Sequence, residues 1–455
     1  MRRRDFLKGV GLSAAALTLP DLVAGRTAWG KSAGGKQPNI LVIVSDDMGY
    51  ADLGCYGGKE IATPHIDSIA EKGVRFTNGY VSCPVCSPTR AGLITGRYQQ
   101  RFGYYTNAES RIGLPLTEKT LADVLKASGY VTGAVGKWHL GAGPDFHPCK
   151  RGFDEFFGFL GGSHSYIDPQ LNSTNPILRG TEPFDEREYL TDALTREAIS
   201  FIRQHRDERF FLYLAYNAVH APLQAPPRHR DSFAQITEKN RRTYAGMLAA
   251  LDEGIGKVLA QLRQSGLEKD TLLLFINDNG GAPGNASDNG PLRDRKGTVF
   301  EGGIRVPFMV QWPHRFGGGQ TYEQPVVCRD IFATAVAAAG ADLPPNLQLD
   351  GVDLVPYLTG QKKTPPHQEL FWDYGENGYA VRKGNYKLVK TREDTTLFDL
   401  SSDSGEASDL KEVKPDIFGE LQKDYKQWRS QMPEALWVPK RAEPKQKRKD
   451  KKTRQ

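Results

Sequence analysis

Ile40-Leu41-Val42-Ile43-Val44 is an unbroken apolar run rich in β-branched residues, the pattern of a strand buried on both faces. It stops abruptly at Ser45-Asp46-Asp47. Thr63-Pro64 opens a short helix, with proline at the first helical position, and Gly73 ends it. Thr120–Ser128 reads as an amphipathic helix closed by Gly129, and Tyr130–Val135 as a strand running into Gly136-Lys137-Trp138-His139. A helical period covers Tyr189–Arg203, and the apolar run Phe210–Tyr216 ends at Asn217-Ala218-Val219-His220. Asn240–Ser265 reads as a long helix, Thr271–Ile276 as a strand ending at Asn277-Asp278-Asn279-Gly280, and Phe308–Gln311 as one more short buried run. Strands alternating with helices predict an α/β fold, a large mixed and mostly parallel sheet sandwiched by helices.

The texture changes after the Lys362–Pro366 linker. Leu370–Tyr374, Gly378–Arg382, Tyr386–Lys390 and Thr396–Leu400 alternate polar and apolar residues across Gly-Asn and Lys-Gly turns, and a helical pattern follows at Lys414–Ser430. The expected organisation is a leader over residues 1–30, a catalytic domain over 36–365, a small antiparallel α+β subdomain over 366–438 and a basic tail over 439–455.

Charge changes the picture in one respect. The 455-residue chain is formally +6, but residues 440–455 carry nine Lys/Arg against Glu443 and Asp450, and residues 1–30 carry five against Asp5 and Asp21. Without these ends the body is mildly acidic, so a nucleic-acid-binding core has no electrostatic footprint. No apolar stretch reaches the roughly 18–20 residues of a spanning helix, and no stable membrane anchor is expected. Arg3-Arg4-Asp5-Phe6-Leu7-Lys8, followed by a weakly apolar stretch and small residues near Ala24 and Ala28, is a twin-arginine pattern. It implies the twin-arginine export machinery as a partner and a periplasmic or secreted destination. Five cysteines (Cys55, Cys83, Cys86, Cys149, Cys328) are too few for a disulfide scaffold and odd in number.

The candidate chemistry lies where the strands end. Asp46/Asp47, Lys137/His139, His220 and Asp278/Asn279 each follow an apolar strand, and in open α/β sheets the site lies beyond the carboxyl ends of the strands. Asp46, Asp47, Asp278 and Asn279 offer hard oxygen ligands that suit Ca²⁺ or Mg²⁺ better than Zn²⁺. Cys86-Ser87-Pro88-Thr89-Arg90 precedes a helical Ala91–Thr95, which places Cys86 at a helix N-terminus, where exposed N–H groups lower a thiol's pKa or hold an anion. Cys83 and Cys86 also form a lone CxxC, open to reading as a redox pair, half a zinc site or a disulfide.

Cys86-x-Pro88-x-Arg90 with Ala91-Gly92-Leu93-Ile94-Thr95-Gly96-Arg97 resembles the signature of the sulfatase family, within the alkaline phosphatase superfamily. The likeness extends through PNILVIVSDDMGYADLGCYGG, Gly136–Gly141, Gly152–Gly158, His220-Ala221-Pro222, Asp278-Asn279-Gly280 and Lys296–Pro307, from about Pro38 to Leu410. The resemblance implies an alkaline phosphatase-like fold and a sulfuric ester hydrolase. It implies that Cys86 is oxidised after translation to formylglycine by a maturation enzyme, and that the hydrated aldehyde is the nucleophile. A gem-diol can expel sulfate by collapsing to the aldehyde, whereas an ordinary hydroxyl would leave a stable sulfate ester. It implies Ca²⁺ held by Asp46, Asp47, Asp278 and Asn279 beside the Cys86-derived group. Arg90 and Lys137 would stabilise the alkoxide, His139 would take the second hydroxyl's proton, and His220 and Lys296 would bind sulfate, one of them protonating the departing alcohol.

Two loops, Tyr98–Arg111 and His164–Arg179, are aromatic and cation-rich, a composition suited to sulfated carbohydrate. Tyr105, Asn107, His164 and Arg179 are the expected substrate contacts. Two other functions share these residues: a phosphate or phosphonate monoester hydrolase of the same superfamily, and a catalytically silent binder of sulfated glycans.

Overall fold

A computed structural model describes residues 37–107 and 112–437. The twin-arginine leader, Ala108–Arg111 and the basic tail lie outside the described residues.

Five parallel strands form the middle of a ten-stranded sheet, in the spatial order Thr271–Asn277, Asn39–Ser45, Phe210–Ala215, Val131–Lys137, Glu155–Phe159. Antiparallel pairing begins at both flanks, with Phe308–Gln311 beside Thr271–Asn277 and Leu178–Arg179 beside Glu155–Phe159. The unbroken apolar runs follow from burial on both faces. Ile40, Val42 and Val44 point into one core with Phe211, Tyr213, Leu272 and Leu274, against the helices Cys86–Thr95, Leu121–Ala127 and Asp330–Ala339. Leu41 and Ile43 point into the other with Leu212, Leu214, Leu273 and Phe275, against Pro64–Glu71, Leu190–Gln204 and Lys239–Gln264. This period-2 division is what a central parallel strand requires.

The helix Leu121–Ala127 is stopped at its start by a reciprocal cap. The Thr120 hydroxyl accepts from the Asp123 N–H at 3.0 Å, and the Asp123 carboxylate accepts from the Thr120 N–H at 2.9 Å. The parallel strands Val131–Lys137 and Glu155–Phe159 approach the neighbouring backbone closely at glycines. A Cβ on Gly136, whose φ is +111°, would lie 1.9 Å from the Ala215 carbonyl oxygen.

The C-terminal part is a four-stranded antiparallel sheet, Glu369–Asp373, Tyr379–Lys383, Tyr386–Lys390 and Thr395–Asp399, in sequential order. Its faces also divide by alternation. Leu370, Trp372, Ala380, Val389 and Phe398 join the core of the large sheet, while Phe371, Val381, Leu388 and Leu397 pack with Leu421 and Trp428 of the helix Pro415–Arg429. The small sheet is therefore glued to the large one by one whole face.

Among the described residues, no helix is long and apolar enough to cross a membrane.

Candidate active site

Backbone hydrogen bonds continue past the ends of the central strands and draw the polar clusters together. The Asp46 N–H donates to the Ala218 carbonyl at 2.9 Å, the Val219 N–H to the Asp46 carbonyl at 2.7 Å, and the Asp278 N–H to the Ser45 carbonyl at 3.1 Å. The chain then turns away sharply. Asp47 and His139 hold φ of +60° and +59°, a left-handed conformation uncommon outside glycine and typical of functional turns.

The helix begins at Cys86, five residues before the apolar pattern suggests, with Pro88 in its first turn. Asn107 accepts the Ser87 N–H at 3.1 Å and so caps that turn. The Ser87 hydroxyl donates to the His139 carbonyl at 2.6 Å, which ties the helix start to the turn after Lys137.

Arg90 is fully buried. Its Nε and Nη2 lie 2.9 and 2.8 Å from Asp278 Oδ2, and its Nη1 donates to the Lys137 carbonyl at 3.1 Å. Lys137 Nζ lies 2.5 Å from Asp46 Oδ2. Lys296 Nζ lies 2.5 Å from Asp47 Oδ1 and 3.2 Å from Cys86 Sγ. Asn279 Nδ2 donates to Asp47 Oδ1 at 2.8 Å. His220 Nε2 lies 3.5 Å from Asp47 Oδ2, while its Nδ1 faces the Ala221 carbonyl at 2.6 Å. Asp46, Asp47, Cys86, Asp278, Asn279, Arg90, Lys137, Lys296 and His220 thus form one contiguous constellation.

Its electrostatics are particular. Burial raises the Cys86 thiol, with Asp278 and Asp46 adding to it and Lys137 and Lys296 opposing, to about 11. The helix N-terminus therefore does not give this cysteine a low pKa, and an unmodified thiol here is a poor nucleophile at neutral pH. Burial, then the positive charges of Lys137, Arg90 and Lys296, hold His139 well below the usual histidine range, so its imidazole is neutral. Burial would lower Lys296, but Cys86, Asp47, Asp46 and Asp278 raise it, so it stays charged.

Ligand atoms of Asp46, Asp47, Cys86 and His220 lie within 4.8 Å of one another. Asp46 Oδ1 and Asn279 Oδ1 are buried without a hydrogen-bond partner, as is His139 Nδ1. Orphaned acceptors of this kind are rare and costly, and beside carboxylates they suit a hard divalent cation. Asp278 and Asp47 are both engaged otherwise, Asp278 through Arg90 and the Asp47 N–H at 3.4 Å, Asp47 through Lys296, Asn279 and His220.

The four expected substrate contacts separate. Asn107 caps the helix that bears Cys86. Tyr105 is buried, its hydroxyl donating to the Pro433 carbonyl at 2.9 Å, and its backbone carbonyl lies 3.8 Å from Cys83 Sγ. His164 is buried with its ring nitrogens 2.8 and 2.9 Å from the Ser165 and Asn175 carbonyls. Arg179 pairs with Glu197 at 2.7 Å and lies against the rings of Phe157 and Phe184. Among the described residues, the hydrogen bonds, ion pairs and ring contacts of His164 and Arg179 go to residues outside the constellation. All five cysteines are free, so the Cys83–Cys86 pair is not a disulfide here. Sequence reasoning passed over Ser87 and Asn285. The Asn285 side chain donates to the Asp47 carbonyl at 2.9 Å and supports that turn. Ser87 had a signal, its place inside the CxPxR motif, whereas Asn285 had none.

The sulfatase family model matches residues 38–341, and a model described as N-sulphoglucosamine sulphohydrolase, C-terminal, matches 294–432. The chain is 37% identical over 386 residues to N-acetylgalactosamine-6-sulfatase of Mus musculus, covering 78% of this chain and 72% of that protein. It is 36% identical over 457 residues to arylsulfatase A of Bos taurus, covering 87% of each. The crystal structure of Ps i-CgsB in complex with k-i-k-neocarrahexaose superposes with a TM-score of 0.85 at 36% identity, over 88% of this chain and 95% of that one.

Proposed function

The chain belongs to the sulfatase family of the alkaline phosphatase superfamily, enzymes that hydrolyse sulfate esters, and on that premise we propose that its substrate is a sulfated carbohydrate. The observation that carries the reading is the convergence of Asp46, Asp47 and His220 on the side chain of Cys86 at a helix start, with Lys296 Nζ 3.2 Å from its Sγ. The carbohydrate class is supported by the names of proteins similar over most of this chain, an N-acetylgalactosamine-6-sulfatase and a protein crystallised with a neocarrahexaose.

In this reading Cys86 is converted to formylglycine, and Asp46, Asp47, Asp278 and Asn279 hold Ca²⁺. Together these groups supply a nucleophile that does not depend on a thiolate and a cation that polarises sulfate. The chain's own residues do the rest. Lys296 binds a sulfate oxygen and holds the ester against residue 86. Arg90 and Lys137, fixed by Asp278 and Asp46, place two buried positive charges where negative charge develops on the nucleophile's oxygen. His139, neutral and with a free Nδ1, accepts the proton released at that side chain. His220 faces the Ala221 carbonyl with Nδ1 and turns Nε2 to the cluster, and when it carries a proton on Nε2 it delivers that proton to the departing sugar alcohol. The twin-arginine leader addresses the folded enzyme to the periplasm or beyond.

Sulfate release from a panel of defined sulfated oligosaccharides, together with peptide mass mapping around Cys86, tests this. The expected result is turnover of at least one sugar sulfate by protein bearing an aldehyde at position 86. Chelation should abolish it, and Ca²⁺ should restore it better than Zn²⁺. An active protein with an intact thiol would overturn the nucleophile. Preference for phosphate monoesters would overturn the ester class.

A further inference from the structure

A second group of charges is buried outside the constellation, at the seam between the large sheet and the C-terminal one. Glu301, Lys387 and Glu406 are all inaccessible to solvent. Lys387 Nζ lies 2.8 Å from Glu301 Oε1 and 2.9 Å from Glu406 Oε1. The other Glu406 oxygen accepts the backbone N–H of Glu301 at 2.6 Å, and the Glu406 carbonyl accepts from Arg293 Nη1, also at 2.6 Å. One residue of the C-terminal part therefore grips both ends of the segment 293–301.

That segment carries Lys296. Its base is closed by the Gly302 N–H donating to the Arg293 carbonyl at 2.7 Å, and its apex is tied beside the nucleophile by the Gly297 N–H donating to the Pro84 carbonyl at 2.9 Å. The base also rests on the turn after Asp278 and Asn279, through the Gly280 N–H and the Gly303 carbonyl at 3.0 Å. The approach is so close that a Cβ on Gly280 would lie 1.7 Å from the Gly302 oxygen. A shift of the base would therefore be felt both by Lys296 and by the Asp278–Asn279 turn.

Burying three charges is a poor way to gain stability, since each gives up its hydration and apolar residues of similar size often do as well. What such a group can supply is a single geometry. We propose that Glu406, held by Lys387, is a positioning residue for the reaction, clamping the segment 293–301 so that Lys296 is presented to Asp47 and residue 86. This inference rests on the reading of Lys296 as a sulfate-binding residue.

The test is a cycle of four proteins, wild type, Glu406→Ala, Lys296→Ala and the double variant, assayed for kcat/KM on a sugar sulfate and, by calorimetry, for affinity toward inorganic sulfate. Glu406→Ala should lose about tenfold in kcat/KM in the wild-type background and less than about twofold when Lys296 is already gone. Sulfate affinity should follow the same pattern without turnover. A merely structural role would lower both backgrounds equally, and that result overturns the proposal. Should Glu406→Ala fail to fold, Arg293→Met releases the other end of the clamp while leaving the three buried charges in place, and it is carried through the same cycle with the same two outcomes. A wild type inactive on every sulfated sugar would strike the functional reading, whereas an active wild type with additive losses would strike this inference alone.

Discussion

The constellation at the strand ends and the seam under the C-terminal sheet both bury opposed charges, yet they dispose of their polar atoms differently. In the constellation, Arg90, Lys137 and Lys296 face Asp46, Asp47 and Asp278, while Asp46 Oδ1, Asn279 Oδ1 and His139 Nδ1 are left without hydrogen-bond partners. At the seam, Lys387 lies at ion-pair distance from Glu301 and Glu406, Arg305 and the Tyr80 hydroxyl take the second Glu301 oxygen, and Glu406 turns its other oxygen and its carbonyl on the Glu301 N–H and on Arg293, so that its Oε1, without hydrogen-bond geometry, still faces a cation. Burial of charge alone does not mark a reactive site. The marker is burial that leaves several coordinating and proton-accepting atoms unspent together at the strand ends.

The sharpest way to break this comparison is at the proposed proton donor, His220. A sugar alcohol is a poor leaving group and needs a proton in the transition state, whereas a nitrophenolate delocalises its charge. His220→Ala should depress turnover of a sugar sulfate by about 10²–10⁴ while sparing much of the activity on nitrophenyl sulfate. Equal losses on the two substrates would mean that His220 binds sulfate and protonates nothing.

The seam should answer in stability instead. Lys387→Met leaves Glu301 and Glu406 facing each other without their shared cation, and breaking a buried ion pair in this way costs about 3–5 kcal/mol. Denaturant unfolding would read the loss as a lower midpoint. A midpoint unchanged from wild type would show that the seam is hydrated and the charges are screened.

Much of this was legible in the sequence for a physical reason. A strand buried on both faces must be apolar throughout, so its end is announced by the first ionisable residues, and those residues lie where α/β sheets put their sites. The small C-terminal strands were legible to within a residue because their two faces meet different cores and their first two turns carry glycine. The short strand Glu155–Phe159 was not read as one, since Gly158 interrupts it and it spans only five residues. The helix Asp330–Ala339 was missed because it is buried nearly all round and has no polar face to set a period. The seam was illegible altogether. Glu301 lies 86 positions from Lys387 and 105 from Glu406, and no spacing rule links them.

The smallest expected effect concerns a residue whose composition suggested a substrate contact. Arg179 sits at the flank of the large sheet in the short strand Leu178–Arg179, half exposed, with both terminal nitrogens on the Glu197 carboxylate at 2.8 and 2.7 Å. Its guanidinium carbon also lies 4.9 and 4.5 Å from the ring centroids of Phe157 and Phe184. A cation already committed to a carboxylate and two aromatic faces has little left for a sulfate, and exposed pairs of this kind are worth roughly 0–1 kcal/mol. Arg179→Ala should therefore change kcat/KM on a small sugar sulfate by less than about twofold and lower the unfolding free energy by about 1 kcal/mol. A larger loss of kcat/KM with unchanged stability would return Arg179 to the substrate surface. The unspent atoms at the strand ends would then no longer mark the whole of the substrate surface.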